Sequence, residues 1–314
     1  MILGNKSAIL AKIESVYGTD PTPTESANAL IVYNPTFEVM GNQRARAVPL
    51  PHFGQIKGVN VGDALKLNFT TEFKYSGTAG TASRYDPLLR ACGLTAANTP
   101  ATSDVYTPHS TLAGEGVTLW FYAGGVLHKL NGCAGTFKLN MKAGELWTVD
   151  WEFTGLYADN AADTAQPTLT HESVPPLVVK NMGFTYNAVS LVIEELMLDI
   201  GNTVSPQRSA NGANNGVARY FVSQRNSKGT MNPEAEALST INFWDHYDNT
   251  TASNIVVNPT GNSAGYDIEL AVTGCVLDTP PKYGTRENVL THEISFAINP
   301  TLAAGNNEII ITMK

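Results

Sequence analysis

Cysteine, charge and long apolar runs are all scarce in this 314-residue chain, and each shortage narrows what it can be. The three cysteines, Cys92, Cys133 and Cys275, stand far apart with no CxxC pair. An odd, scattered set does not read as a disulfide framework or as a zinc site, so buried free thiols are expected. Charged residues make up 15% against 43% hydrophobic. That supports a large core and a charge-poor surface, a trait of surfaces that meet other subunits. A net charge of −8 argues against gripping nucleic acid by phosphate neutralisation. No apolar run reaches the roughly 18 residues of a membrane span, so no membrane partner is expected. The opening residues lack the order of a secretory leader, so synthesis in a cytosol is expected.

Catalytic signatures are equally sparse. The six histidines, His52, His109, His128, His171, His246 and His292, form no HExxH and none lies near a cysteine at zinc spacing. No serine sits in a GxSxG elbow. Gly77-Thr-Ala-Gly-Thr-Ala82 lacks the ending of a phosphate loop, and Asp159, Asn160 and Asp163 lack the spacing of an EF-hand. Asp150 and Glu152 lie two apart on one strand face, whereas carboxylates that flank a substrate normally come from separate elements. The expectation is a non-enzyme with no cofactor, no metal and no catalytic residue.

What is present is mostly the grammar of β-strands. Leu65, Leu67 and Phe69 alternate with Lys66, Asn68 and Thr70. Val117-Thr-Leu-Trp-Phe-Tyr122 leads through Gly124-Gly125 into Val126-Leu-His-Lys-Leu130, a hairpin signal. From Leu146, Trp147, Val149, Trp151 and Phe153 share one face and Thr148, Asp150, Glu152 and Thr154 the other, the pattern of a half-buried antiparallel strand. Further strands are expected over 193–200, 217–224, 266–273, 289–298 and 308–313. Helical spacing of Ile9, Leu10, Ile13, Val16 and Tyr17 predicts a short helix from Asn5 to Tyr17, capped by Asn5 or Ser7 and ended by Gly18 and Pro21.

The two halves of the chain resemble each other in plan. Gly41-Asn42 and Gly201-Asn202 each precede a long polar stretch, Gln43–Gln55 and Thr203–Asn215, which leads through Gly58-Val59 or Gly216-Val217 into another strand. Asp86-Pro87 and Asn232-Pro233 each predict the start of a short helix, the second with Ala235, Leu238, Ile241 and Trp244 on one stripe. The expected fold is mainly β: two similar β-sandwich or barrel-like halves, each with a short helix, arising by internal duplication. The expected divisions are an N-terminal helix and arm over 1–28, a first half over 29–157, a linker over 158–178 and a second half over 179–314.

One stretch, Lys6-Ser-Ala-Ile-Leu-Ala-Lys-Ile-Glu-Ser-Val-Tyr-Gly-Thr-Asp-Pro-Thr-Pro-Thr24, resembles the start of phage tail tube, or major tail, proteins. Tyr85–Gly93, Val117–Gly132, Gly135–Leu139, Asp150–Tyr157, Leu198–Val204 and Lys228–Ala235 continue the likeness in order and spacing. The resemblance implies a structural subunit, made in the host cytoplasm and carried in the virion tail, that stacks in rings around a lumen conducting DNA during ejection. It implies paired β-sheets whose inner strands join between neighbours, and long loops reaching from ring to ring. A duplicated subunit implies trimeric rings with pseudo-sixfold symmetry, hexameric rings being the second possibility. Tail terminator, tape measure and distal tail proteins are the implied partners, and DNA passes without specific binding, aided if acidic residues face the bore. On that reading Arg44, Arg46, Gln207 and Arg208, in the two long polar stretches, are candidate ring-stacking residues. The rival readings are a carbohydrate-binding or adhesin-like β-sandwich, with Trp147 and Trp151 as its aromatic platform, and a β-rich hydrolase, for which no catalytic constellation is visible.

Overall fold

A strand that passes between two sheets needs a place to bend, and this chain bends where glycine follows asparagine or threonine inside a long apolar strand. The computed structural model describes residues 6–111, 115–157, 162–212, 216–260 and 265–314, with the side chains of residues 42, 62 and 63 outside that description. The chain begins β1 (Ser7–Ile13), β2 (Ala29–Leu30), β3 (Val32–Arg46) and β4 (Ile56–Glu72). After helix α1 (Asp86–Ala91) come β5 (Leu94–Thr99), β6 (Ser103–Pro108), β7 (Val117–Ala123), β8 (Val126–Lys142), β9 (Thr148–Tyr157) and β10 (Ala162–Asp163).

The later part runs β11 (Thr185–Tyr186), β12 (Val189–Ser190), β13 (Ile193–Asp199), β14 (Asn202–Arg208), β15 (Val217–Arg225) and β16 (Lys228–Pro233). Helix α2 (Phe243–Asp248) precedes β17 (Ser253–Val257), β18 (Ile268–Leu277), β19 (Lys282–Arg286), β20 (Val289–Ile298) and β21 (Ile309–Met313). Among the described residues every ladder is antiparallel; nineteen strands connect into one system, and β14 pairs with β15 alone.

Following the ladders gives one broad sheet in the order β3, β4, β9, β8, β13, β16, β20, β19. Two further sets continue from its long strands. β7, β1 and β2 continue from the start of β8, and β17, β11 and β12 from β18. β18 also pairs with β20, and through β21 with β6 and β5. Phe37 on β3 stacks on Phe121 on β7 at 5.6 Å although the two strands share no ladder, so the sheet folds over on itself here. One apolar core runs through both halves of the chain, with Val149, Trp151 and Phe153 buried on the inward face of β9, and Trp147 buried just before it, as the alternation predicts. All three cysteines are buried and free.

The bend in β8 is at Asn131-Gly132-Cys133. The register with β9 slips there, and Gly132 takes φ +57°, a conformation that other residues adopt only at a cost. The Tyr17 hydroxyl donates to the Gly132 carbonyl (2.7 Å), and the Glu14 carboxylate accepts from the Gly132 N–H, the Gly18 N–H and the Thr118 hydroxyl, each at 2.6 Å. The Gly124-Gly125 turn between β7 and β8 has φ of +61° and +104°, as a two-residue hairpin requires.

Three expectations need correction. The stretch expected as an N-terminal helix is strand β1. It lies between β2 and β7, with Ile9 and Ala11 in the main core and Ala8 and Leu10 in a second cluster against Tyr122 and Leu127. Burial on both faces erases the period of two and leaves adjacent apolar residues that imitate a helical stripe. The candidate cap Asn5 lies outside the described residues. At Asn232-Pro233 the chain is still in β16; the helix begins ten residues later, capped by Asn242, whose side chain accepts from the Asp245 N–H. The two long polar stretches are strand in their first part, where 43–46 prolong β3 and 203–208 belong to β14, and they pair as hairpins from Arg46↔Ile56 and Arg208↔Val217 inward. Their exposed faces carry no apolar alternation, so they look like loops. Helix α1 does start at Asp86-Pro87, although Asp86 does not cap it and instead accepts from Tyr106 (3.1 Å) and Arg90 (3.2 Å).

A methyl group on Gly132 would meet the Tyr17 ring at 2.6 Å in a left-handed backbone. Gly132→Ala is therefore expected to cost about 1–3 kcal/mol, read as a lower urea midpoint. His292 is buried among the Phe243, Trp244 and Tyr283 rings, and burial holds its imidazole below its ordinary 6.5. A group that stays neutral when folded but charges when unfolded contributes stability above pH 6.5 and loses it as pH falls. Urea unfolding at pH 7 and pH 5 should show a smaller acid loss for His292→Phe than for the parent chain.

Candidate assembly surfaces

Two hairpin arms leave the broad sheet, and they carry the four residues singled out from the sequence. Arg44 and Arg46 are exposed on β3 in the first arm, opposite Val59 and Ile56. Gln207 and Arg208 are exposed on β14 in the second, opposite Arg219 and Val217, and the Gln207 amide oxygen accepts from Arg219 at 2.7 Å. The structure thus sets each pair on its own arm.

The second arm is anchored. Val204, Val217 and Tyr220 pack with Tyr17, Ala64, Ala134 and Leu156, placing the hairpin over β8 and β9. The Tyr220 N–H donates to the Tyr17 hydroxyl at 2.7 Å, so one phenol joins the bend in β8 to the arm. Burial pushes that phenol well above its usual range and keeps it a donor. At the base of the arm the Asn202 amide donates to the carbonyls of Cys92 (2.6 Å) and Gly135 (3.0 Å). Arg225 pairs there with Glu308 at 2.8 Å, with both side chains mostly buried. The first arm instead presents Met40, Val48, Phe53, Val59 and Val61 to solvent.

β3 and β19 bound the broad sheet, each paired on one side among the described residues. Tyr33, Val39 and Met40 are exposed on β3, and Tyr283 on β19. Unpaired edges with apolar side chains are a template for another chain.

The face of the sheet turned away from the core carries alternating charge. Asp150, Lys138, Asp199 and Lys228 stand opposite one another on β9, β8, β13 and β16, so the sign changes at every strand. Lys138 pairs with Asp199 (3.4 Å), Lys142 with Glu195 (3.4 Å) and Lys66 with Glu152 (2.7 Å). Asp150 accepts from Thr70 at 2.5 Å and from Asn140 at 2.7 Å. Asp150 and Glu152 are therefore held by partners on neighbouring strands. Opposite charges in register favour the pairing of strands, and here they also neutralise Lys66, Lys138 and Lys142.

Nothing among the described residues gathers three or more His, Cys, Asp or Glu side chains at a common point. Asp159 and Asn160 of the suggested calcium loop lie outside those residues, and Asp163 belongs to β10. The stretch around Gly77–Ala82 is a tight turn whose Gly80 carbonyl accepts from Asn98 at 2.7 Å. Trp147 and Trp151 are in the core, which removes the aromatic platform of a carbohydrate-binding module. No helix of the described residues is long and apolar enough to cross a membrane.

Sequence reasoning missed the role of Tyr17 and the two sheet edges. Tyr17 was counted into a helical stripe, and an edge strand has no local signature that separates it from an inner one.

Two bare edges on a mainly β chain offer strands for pairing with another chain. No curated protein matches the chain significantly. A family model described as phage tail tube protein matches residues 4–307. Nearly the whole sequence thus fits that model, and the chain belongs to the phage tail tube protein family, as a non-enzymatic structural subunit of the virion tail whose kind assembles into oligomeric rings.

Proposed function

We propose that this tube subunit is internally duplicated and that three copies close each ring with pseudo-sixfold symmetry. The carrying observation is a shared plan around one bent strand. In β8 the bend is Gly132-Cys133, with Cys133 opposite Val117; in β18 it is Gly274-Cys275, with Cys275 opposite Ser253. Both glycines have positive φ. Each thiol lies against the backbone two residues further along the partner strand, at Leu119 and Ile255. The bent strands are flanked alike, by β7, β1 and β2 and by β17, β11 and β12 on one side. On the other side stand β9, β4 and β3, and β20, β16 and β13. A short helix follows β4 and another follows β16, and β10 and β21 return to pair with the bent strands.

The halves then correspond to 29–157 and 179–314, joined by a linker over 158–178, with β1 in the segment 1–28 completing the first. The seam between them, β8 against β13, is the contact that a ring repeats between chains through the free edges β3 and β19. Ring stacking engages the arms through Arg44, Arg46, Gln207 and Arg208. Tail terminator, tape measure and distal tail proteins meet the ends and lumen of the tube. A plain hexamer is the second reading. Electron microscopy of assembled protein tests the choice: threefold rings of three chains are expected, sixfold rings of six would replace them, and a chain that stays single at every concentration would overturn the tube reading.

The alternating face supports transit of DNA without specific binding. A lysine already paired to a carboxylate releases no counterions from DNA, so a bore lined by this face neither grips nor strongly repels the duplex. Replacing Asp150 and Asp199 by Asn, and Glu152 and Glu195 by Gln, unmasks the lysines. Assembled variant tubes should then retain labelled duplex DNA at low salt and release it as salt rises, whereas parent tubes retain little at either. Equal, weak retention by both would count against this face lining the bore.

A further inference from the structure

The two arms follow the same plan, yet one is docked and the other bare. Val217, which follows Gly216, is 7% exposed beneath the second arm, whereas Val59, which follows Gly58, is 49% exposed. Val61, two residues on, and Met40, nearer the root of the arm opposite Ala64, are also open to solvent. The ground on which the second arm lies is the bend in β8: Tyr17 fills the space over Gly132, and Ala134 and Leu156 are buried beneath Val217 and Tyr220.

The same ground exists a second time, at the bend in β18. Val276 stands two residues after Gly274, as Ala134 stands two after Gly132, and it pairs with Ala297 on β20. Both are only half-buried. Thr301 closes over Gly274, 3.1 Å from where a methyl group on it would sit. The next residue, Leu302, is 60% exposed. Among the described residues, one arm and one landing ground are thus unoccupied in the single chain.

The ladders set them far apart along the sheet. β3 lies six strand spacings from β20, roughly 30 Å along the sheet. The second arm, in contrast, rises from β13 and β16, and β13 is the direct neighbour of β8. Joining edge β3 of one copy to edge β19 of the next would place the bare arm beside β20 and β18, as the second arm sits beside β8 and β9.

We propose that the β3–β4 arm of each chain docks on the Gly274 bend of an adjacent copy, with Val59 packed against Val276 and Leu302. The proposal rests on the duplicated-tube reading and deepens it by naming the lateral contact. It gives the first arm a role within the ring in addition to stacking. The contact is head to tail, so it closes only when every chain both gives an arm and receives one.

Val59→Asp and Leu302→Asp test it, since both positions are exposed in the single chain and neither change should alter its circular dichroism or thermal unfolding. Each is expected to raise the protein concentration needed for ring formation by roughly tenfold or more, because a charge then enters an apolar contact. A mixture of Val59→Cys chains and Val276→Cys chains, oxidised after assembly, should give a disulfide-linked pair that neither variant forms alone. Rings that form at parental concentration from Val59→Asp chains, or assembled mixtures without the cross-link, would overturn the docking while leaving the tube intact. A parent chain that never assembles would instead overturn the tube reading, and the docking with it.

Discussion

A buried sheet strand must keep its hydrogen bonds while changing the layer it serves, and in this protein a single glycine makes that possible. Gly132 lets β8 leave the ladder with β7 and enter the ladder with β13, so the two halves of the chain share one sheet. The cost of the bend is offset by a dense set of polar contacts. Glu14 accepts the freed Gly132 N–H and Tyr17 donates to its carbonyl. Because Tyr17 also accepts from Tyr220, the same contact fixes the direction of an arm more than two hundred residues away in sequence. A buried network of this kind is stable only when its members are satisfied together, so the bend, the N-terminal segment and the arm hold their places jointly.

The broad sheet was legible in the sequence because its strands have one wet face. Leu65, Leu67 and Phe69, or Trp147, Val149, Trp151 and Phe153, alternate with polar residues, and that period survives whatever the strand pairs with. Legibility failed where both faces share an environment. Ala8, Ile9, Leu10 and Ala11 are buried on both sides and imitated a helix, whereas residues 43–46 have no buried face and imitated a loop. The candidate residues Arg44, Arg46, Gln207 and Arg208 were chosen by position in those polar stretches. Tyr17, Asn202 and Arg225, which anchor the second arm, were not singled out, because each acts across a long sequence separation.

Charge tells a related story. A formal charge of −8 suggested an acidic wall, but the polar face of the broad sheet alternates sign from strand to strand. Net charge describes how the molecule behaves at a distance, and register describes what a close neighbour meets. For a duplex moving within a few ångströms of a wall, the second is the relevant quantity.

The buried cysteines have a consequence of their own. Burial raises the pKa of Cys92, Cys133 and Cys275, and so removes the thiolate on which oxidation and disulfide exchange depend. A subunit made in a reducing cytoplasm and then carried outside a cell crosses a large change in redox potential. With its thiols sealed in the core, the chain keeps them reduced through that change, and its durability as a particle component rests on packing and hydrogen bonding rather than on disulfides that the surroundings could make or break.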